Sequence, residues 1–393
     1  MNKISRAIIL ASTALILLIA STGARSQQSS RDREQDDDLK LSSTLVQVPT
    51  VVTDRAGRFI TDLAKNEFVV FEDGKRQEVS IFTAIKQPFN AVLVLDTSNS
   101  AEDRLRAIQN VAAGFARETG SDDRMMVISF DNEVRQLTDF TSDRQELEAA
   151  IKGTEAGFGK LLYEAVVRAL EQLREREGRR AVILLTDGVD MRSIEATAES
   201  TLRLAEESGA VVYIVRFDTR WWIESEARRQ KAAEPQSKVP FSIDGRIPLP
   251  PDFGGPDATP TGFPKVRAPR IEVGSPTSPR VTVIDGPNAK PRTINEPPPD
   301  EITVNLDKLY GEADKFLQTI SSRTAGRLFQ AETFDDTRSA FAAIADELRN
   351  LYVIGYYPAT ERRDGKYRKI KVEVARKEVQ VRARPGYRSP KEQ

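Results

Sequence analysis

Asp96-Thr97-Ser98-Asn99-Ser100 puts one carboxylate and two hydroxyls on alternate residues of a short stretch, and Thr186-Asp187-Gly188 supplies a second carboxylate farther along. The D-x-S-x-S spacing lets three oxygens converge from one turn, and a facing aspartate completes a hard-cation site through water. Such a set has too few protein ligands to fill an octahedron, so it keeps positions for water or for an incoming acidic group. Taken singly, each motif is also ordinary punctuation: Asp and Ser after a strand cap helices, and T-D-G makes a turn. Their occurrence together, each closing an apolar run and with two helical segments between them, favours a site.

Between the two motifs lies AGFGKLLYEA, residues 156–165, with Lys160 after two glycines and before a helical pattern. A phosphate-binding loop requires G-x-x-x-x-G-K followed by Ser or Thr, because glycine backbone wraps the phosphates and the hydroxyl reaches magnesium. Here Thr154 stands at the first glycine position and Leu161 follows the lysine, so a nucleotide is not expected. A lysine at a helix start also opposes the helix dipole, which points to an acidic partner nearby. Ser98 or Ser100 beside Lys160 would be the raw material of a Ser-Lys hydrolase pair, the weakest of the readings.

The composition narrows the chemistry further. No histidine and no cysteine occur among the 393 residues. That excludes Ser-His-Asp and Cys-His catalysis, zinc and iron-sulfur centres and disulfides, and leaves only oxygen ligands, which select Mg, Ca or Mn. Lysine plus arginine (58) balances aspartate plus glutamate (59), so no basic excess supports nucleic-acid binding. No carboxylate pair stands out as a glycosidase site.

The elements that must position these residues follow from patterning. Segment 43–88 alternates as strands do, with a hairpin signal at Asp73-Gly74. From Phe89 the pattern turns to strand, helix, strand, helix. NAVLVLD, RMMVISF, RRAVILLTDG and GAVVYIVRF read as strands, EVRQLTDF as an edge strand, and Leu105, Ile108, Val111, Ala112 and Phe115 mark a helix face. A short helix opens at Ser142-Asp143, and 193–208 reads as another helix. Sixteen of the 21 prolines fall in 235–299, too little apolar surface to offset ordering, so a Pro-rich disordered insertion of about 221–305 is expected, with Trp221-Trp222 as a docked cap at its start. Helix, strand, helix then resume from DKFLQTISSRTAG to 351, and 352–388 is β again. The chain is thus predicted to be α/β, a Rossmann-like doubly wound and mostly parallel sheet (89–351) inserted between two halves of a small β-sandwich (43–88 and 352–388).

The two motifs resemble the von Willebrand factor type A (VWA) domain and its metal ion-dependent adhesion site (MIDAS), over roughly 89–218 and 312–351. The flanks, VVTDRAGRFITDL and FEDGKRQEVSIF before and LRNLYVIGYYP and VRARPGY after, are similar to those of bacterial secreted VWFA-related proteins. The resemblance implies metal ligands at Asp96, Ser98, Ser100 and Asp187 and, by matching LYEA to the family's G-G-T-x-L-Y-D-A, a threonine ligand at the position held by Lys160. An ammonium about 4 Å from a divalent cation repels it by roughly 8 kcal/mol at an effective dielectric near 20. Three placements of the lysine are open: solvated, swung out to leave a weakened Mg2+ (or Mn2+ or Ca2+) site, or lying between Asp96 and Asp187 in place of the ion. Thr154 substitutes as ligand only if the loop register slips by six residues.

The first residues carry Lys3 and Arg6, then an apolar run shorter than the roughly 20 residues of a span, then Ala24-Arg25-Ser26, which reads as a secretory signal over 1–26 followed by a polar linker, 27–42. A retained signal would make it a membrane anchor. The expected function is a secreted or periplasmic protein-binding or adhesion module rather than an enzyme, its protein ligand engaging the site through an acidic residue. The alternative is a structural scaffold with a vestigial site that docks partners through the sandwich or the Pro-rich insertion.

Overall fold

The computed structural model describes residues 45–83, 87–233, 282–283, 292–293, 300–359 and 363–391. The expected signal, the linker and nearly all of the Pro-rich stretch lie outside these residues.

Alternating segments form the sandwich. β1 (Val46–Asp54), β2 (Phe68–Glu72), β3 (Lys75–Gln77) and β4 (Ile81–Thr83) come before the α/β unit, and β13 (Tyr352–Tyr356), β14 (Tyr367–Val374), β15 (Val379–Ala383) and β16 (Gly386–Arg388) after it. The two sets interleave into antiparallel sheets of order β15-β1-β13-β4 and β16-β14-β2-β3. Val48 pairs with Ile354 and Val70 with Val372, so each four-stranded sheet takes strands from both terminal portions. Val48, Val52, Phe68, Val70, Tyr352 and Ile354 fill the space between the sheets.

The continuous apolar runs become strands covered on both faces. β5 (Phe89–Asp96), β6 (Arg124–Phe130), β7 (Val134–Gln136), β8 (Arg179–Thr186), β9 (Val211–Arg216) and β12 (Leu328–Gln330) form one sheet of order β12-β9-β8-β5-β6-β7. All pairings are parallel except β6 with β7, the antiparallel edge. Side-chain alternation sends Ala91, Leu93 and Leu95 to one core and Val92 and Val94 to another. The first core is covered by α1 (Glu102–Glu118), α2 (Arg144–Lys152) and α7 (Phe334–Arg349), the second by α3 (Leu162–Arg174), α4 (Ala198–Ser208) and α6 (Glu301–Arg323). Asp143 caps α2 as its sequence predicts, accepting from Gln145 N at 2.8 Å.

Three expectations change. The helix read over 193–208 begins at Ala198, because Thr197 caps it by accepting from Ser200 N (3.1 Å), while the Ser193 hydroxyl turns back to Asp190 Oδ1 at 2.6 Å. The insertion read as about 221–305 is invaded from both ends by helix: α5 (Arg220–Ala233) runs in and α6 starts at Glu301, capped by Asp300. Ile302, Leu306 and Tyr310 recur every fourth residue and pack with Ile223 and Val189, which extends α6 well before Asp314. The tryptophans divide: Trp222 packs against that cluster, whereas Trp221 is 54% exposed. Within the Pro-rich stretch, β10 (Thr282–Val283) and β11 (Arg292–Thr293) pair antiparallel.

Sandwich and α/β unit are tied by arginines of the last strands. Arg388 Nε meets Glu206 Oε2 at 3.1 Å, Arg382 pairs with Glu347, and both glutamates are buried. Arg180 of β8 reaches across to Gln47 Oε1 at 2.8 Å.

Candidate functional site

β5 and β8 are parallel neighbours, with Leu95 opposite Leu185, so Asp96 and Asp187 leave the sheet side by side at its carboxyl end. This is where loops and helix N-termini converge in a doubly wound sheet. The turn after β5 folds back sharply. Asp96 Oδ1 accepts from Ser98 N (3.0 Å) and Ser98 Oγ (2.5 Å), and Ser98 Oγ lies 3.1 Å from Ser100 Oγ. Asp96 Oδ2 accepts from Thr186 Oγ1 at 2.9 Å. Both aspartates are fully buried, and Ser98 and Ser100 nearly so.

The glycine loop is built to deliver Lys160 into this place. Gly157 N donates to Thr97 O and Asn99 N to Gly157 O, both at 2.8 Å, which stitches the loop to the turn after β5. Gly157 is required by crowding, since a Cβ there would sit 2.1 Å from Asp131 Oδ2, and Gly159 by its left-handed backbone, φ +88°. The Lys160 carbonyl accepts from Met191 N (3.0 Å) and Arg192 N (3.1 Å), and Leu161 N donates to Asp131 O at 3.0 Å. With its backbone so fixed, the Lys160 side chain points inward and is 2% exposed. Its ammonium donates to Asp187 Oδ2 and lies 3.7 Å from Asp96 Oδ2.

The lysine is therefore neither solvated nor swung out. It lies between the two carboxylates. The ammonium is directed at these carboxylates, while the Ser98 hydroxyl is spent on Asp96 and Ser100, so no Ser-Lys pair is formed among the described residues. Thr154 is elsewhere: its hydroxyl donates to Ile151 O and accepts from Gln109. A divalent ion does not fit between Asp96 and Asp187 as they stand, because the ammonium already holds that position and would repel the ion by roughly 8 kcal/mol at an effective dielectric near 20.

Two further residues complete the site. Thr219, just past β9, donates its hydroxyl to Asp187 Oδ2 and lies 2.8 Å from Tyr310 OH; both are buried. Val189 N donates to Asp187 Oδ1 at 3.0 Å. Thr219 carried a signal that went unread: Asp218-Thr219 closes an apolar strand as Asp96 and Asp187 do. Tyr310 had none, being an apolar-face residue of a helix beyond the Pro-rich stretch.

Burial pushes the Asp96 carboxyl above the usual carboxylate range; the charge of Lys160 opposes this, and that of Asp187 adds to it. Burial, with the Asp187 charge, also holds the Tyr310 phenol well above its ordinary value, so it remains a donor. The helix after the loop, α3, has no cap of its own, and Asp190 Oδ1 accepts Tyr163 N at 3.1 Å instead. The acidic partners that a lysine at a helix start calls for are thus Asp187 and Asp96.

Residues 91–189 match the family model of the von Willebrand factor type A domain. Among solved structures the chain is similar to the conserved hypothetical protein BatB from Bacteroides thetaiotaomicron, at 15% identity and TM-score 0.37 over 66% of this chain and 98% of that one. It is also similar to the vWF domain of the type V pili tip protein Mfa5 from Porphyromonas gingivalis (23% identity, TM-score 0.26), covering 27% of this chain and 40% of that one. A third is proximal thread matrix protein 1 from the mussel byssus, in a structure with a zinc-occupied MIDAS motif (16% identity, TM-score 0.31, 35% of this chain and 38% of that one). The chain thus spans less than half of the Mfa5 and mussel chains. No curated protein matches it. The doubly wound sheet and the D-x-S-x-S turn facing Asp187 across neighbouring strands accompany the family match, and residues 91–189 of this chain are a von Willebrand factor type A domain.

Proposed function

We propose that the chain is a secreted or periplasmic protein-binding module, without catalytic turnover, whose adhesion site works with Lys160 in place of a metal ion. The observation that carries this reading is the buried ammonium between Asp96 and Asp187, with serine and threonine hydroxyls around them. Because Lys160 is 2% exposed, an acidic group of a partner does not reach it directly, and recognition falls to the surrounding rim. The rim suits protein contact. Of seven exposed large apolar side chains among the described residues, Phe158, Ile194, Trp221, Val304 and Phe334 belong to loops or first helical turns at the carboxyl end of the sheet. Val304 is placed there because the last turn of α6 is anchored at the amino end of β9, where Thr324 Oγ1 accepts Val212 N at 3.1 Å. Apolar exposure gathered at one end of the sheet suits an interaction surface.

Calorimetric titration of Mg2+, Mn2+ and Ca2+ into the wild type and Lys160→Thr tests the metal-free site. The wild type is expected to give no binding isotherm and the variant to bind. Wild-type binding as tight as that of the variant overturns the reading.

A further inference from the structure

A primary amine held against a carboxylate in a dry site, with a second carboxylate beside it, is a set of reactants as well as an ion pair. Lys160 Nζ touches Asp187 Oδ2, and Asp96 Oδ2 is 3.7 Å from the same nitrogen. All three side chains are shielded from water, at 2% exposure or less. The two oxygens of Asp187 are treated differently. Oδ1 accepts the Val189 amide at 3.0 Å, whereas Oδ2 faces the Thr219 hydroxyl, itself backed by Tyr310 OH at 2.8 Å. One oxygen is held as a developing oxyanion would be, and the other is surrounded by proton donors as a leaving oxygen would be.

We propose that Lys160 and Asp187 condense into an intramolecular isopeptide bond, with Asp96 carrying the protons. This rests on the reading that Lys160 occupies the place between the two carboxylates. Asp96 takes a proton from the ammonium, and the freed lone pair attacks Asp187 Cγ. The new Nζ–Cγ bond forms as charge gathers on Oδ1 against the Val189 amide. The Cγ–Oδ2 bond then breaks, and Oδ2 leaves as water with two protons that came from Nζ by way of Asp96. The amide keeps the third, and Asp96 ends as it began. No oxidant or other reactant is needed.

Proximity removes much of the entropic part of the barrier, since the folded chain holds the Lys160 nitrogen against the Asp187 carboxylate. The driving force has a physical source. Buried charges are costly even when paired, and condensation replaces two of them with one neutral amide. The bond would join residues 27 apart in sequence, locking the glycine loop to the end of β8.

The test is the mass of the purified full chain under denaturing conditions, with tryptic mapping. The wild type is expected to be lighter than its sequence by one water. It should also yield a branched peptide joining 153–168 to 181–192, uncut after Lys160. Lys160→Arg, which keeps the charge and removes the amine, should show the full mass. Asp96→Asn should stay uncondensed; condensation as complete as in the wild type overturns the role of Asp96. A wild-type chain of full mass, with linear peptides ending at Lys160, overturns the bond. That result leaves the metal-free site standing, since only metal binding by the wild type contradicts it.

Discussion

In the uncondensed chain, removing the ammonium while keeping the volume, as in Lys160→Met, leaves Asp96 and Asp187 facing each other in a buried site. The size of the effect follows from the geometry. At 3.7 Å and an effective dielectric near 20, the attraction to Asp96 alone amounts to roughly 4.5 kcal/mol, and the contact with Asp187 is closer still. Relief from desolvating the lysine offsets part of this. Buried pairs broken by loss of one partner typically cost about 3–5 kcal/mol, a large share of the 5–15 kcal/mol that holds a domain together. Guanidinium unfolding should therefore show Lys160→Met less stable, by about 3–5 kcal/mol, than a wild-type chain in which Lys160 and Asp187 have not condensed. Adding Asp187→Asn, which removes one of the stranded charges, should return part of the loss, because residues in one network are not additive. A Lys160→Met cost below about 1 kcal/mol, the value of an exposed pair, would show that the ammonium does not hold the carboxylates together.

Two other outcomes test neighbouring contacts. Thr219→Val removes the hydroxyl between Asp187 and Tyr310, leaving a buried phenol without its partner, and should destabilise the α/β unit by about 1–3 kcal/mol in urea unfolding; an unchanged midpoint would show that the Thr219 hydrogen bonds do not support the fold. The Asp300 carboxyl is held well below the usual range by Arg228 and by the amide and hydroxyl of Thr303, so its capping of α6 is fully present above the unfolded value of about 4 and is lost as pH falls through the folded one. Protection of the Thr303 amide against hydrogen exchange, relative to its intrinsic rate at each pH, should fall on acidification, and Arg228→Met should move that onset to higher pH; equal onsets in both chains would remove Arg228 from the cap.

Much of the architecture was readable because it depends on local pattern. Short, β-branched apolar runs such as AVLVLD and AVILLT read as strands covered on both faces, and the alternating β after residue 351 pairs with the strands of 43–88. The start of α6 was missed because Ile302, Leu306 and Tyr310 follow directly on a proline run whose composition hides their spacing. Trp221 and Trp222 could not be told apart for a related reason: which one is buried depends on the partner helix, which arrives after the whole Pro-rich stretch.

By itself the sequence determined which side chains are at hand: no histidine, no cysteine, two strand-ending aspartates, Asp96 and Asp187, serines at alternate positions after the first, and Lys160 in a glycine loop between them. It also departs from the phosphate-loop pattern at Thr154 and Leu161, on either side of the glycines and the lysine. Tertiary structure alone decided where the ammonium goes. Lysine's flexible stem is compatible with solvent or interior, and nothing local distinguishes them. The choice is made by the amides of Met191 and Arg192 on the Lys160 carbonyl and by the bonds between Gly157 and the turn after β5, contacts between segments about 30 to 60 residues apart that turn the side chain toward two buried carboxylates.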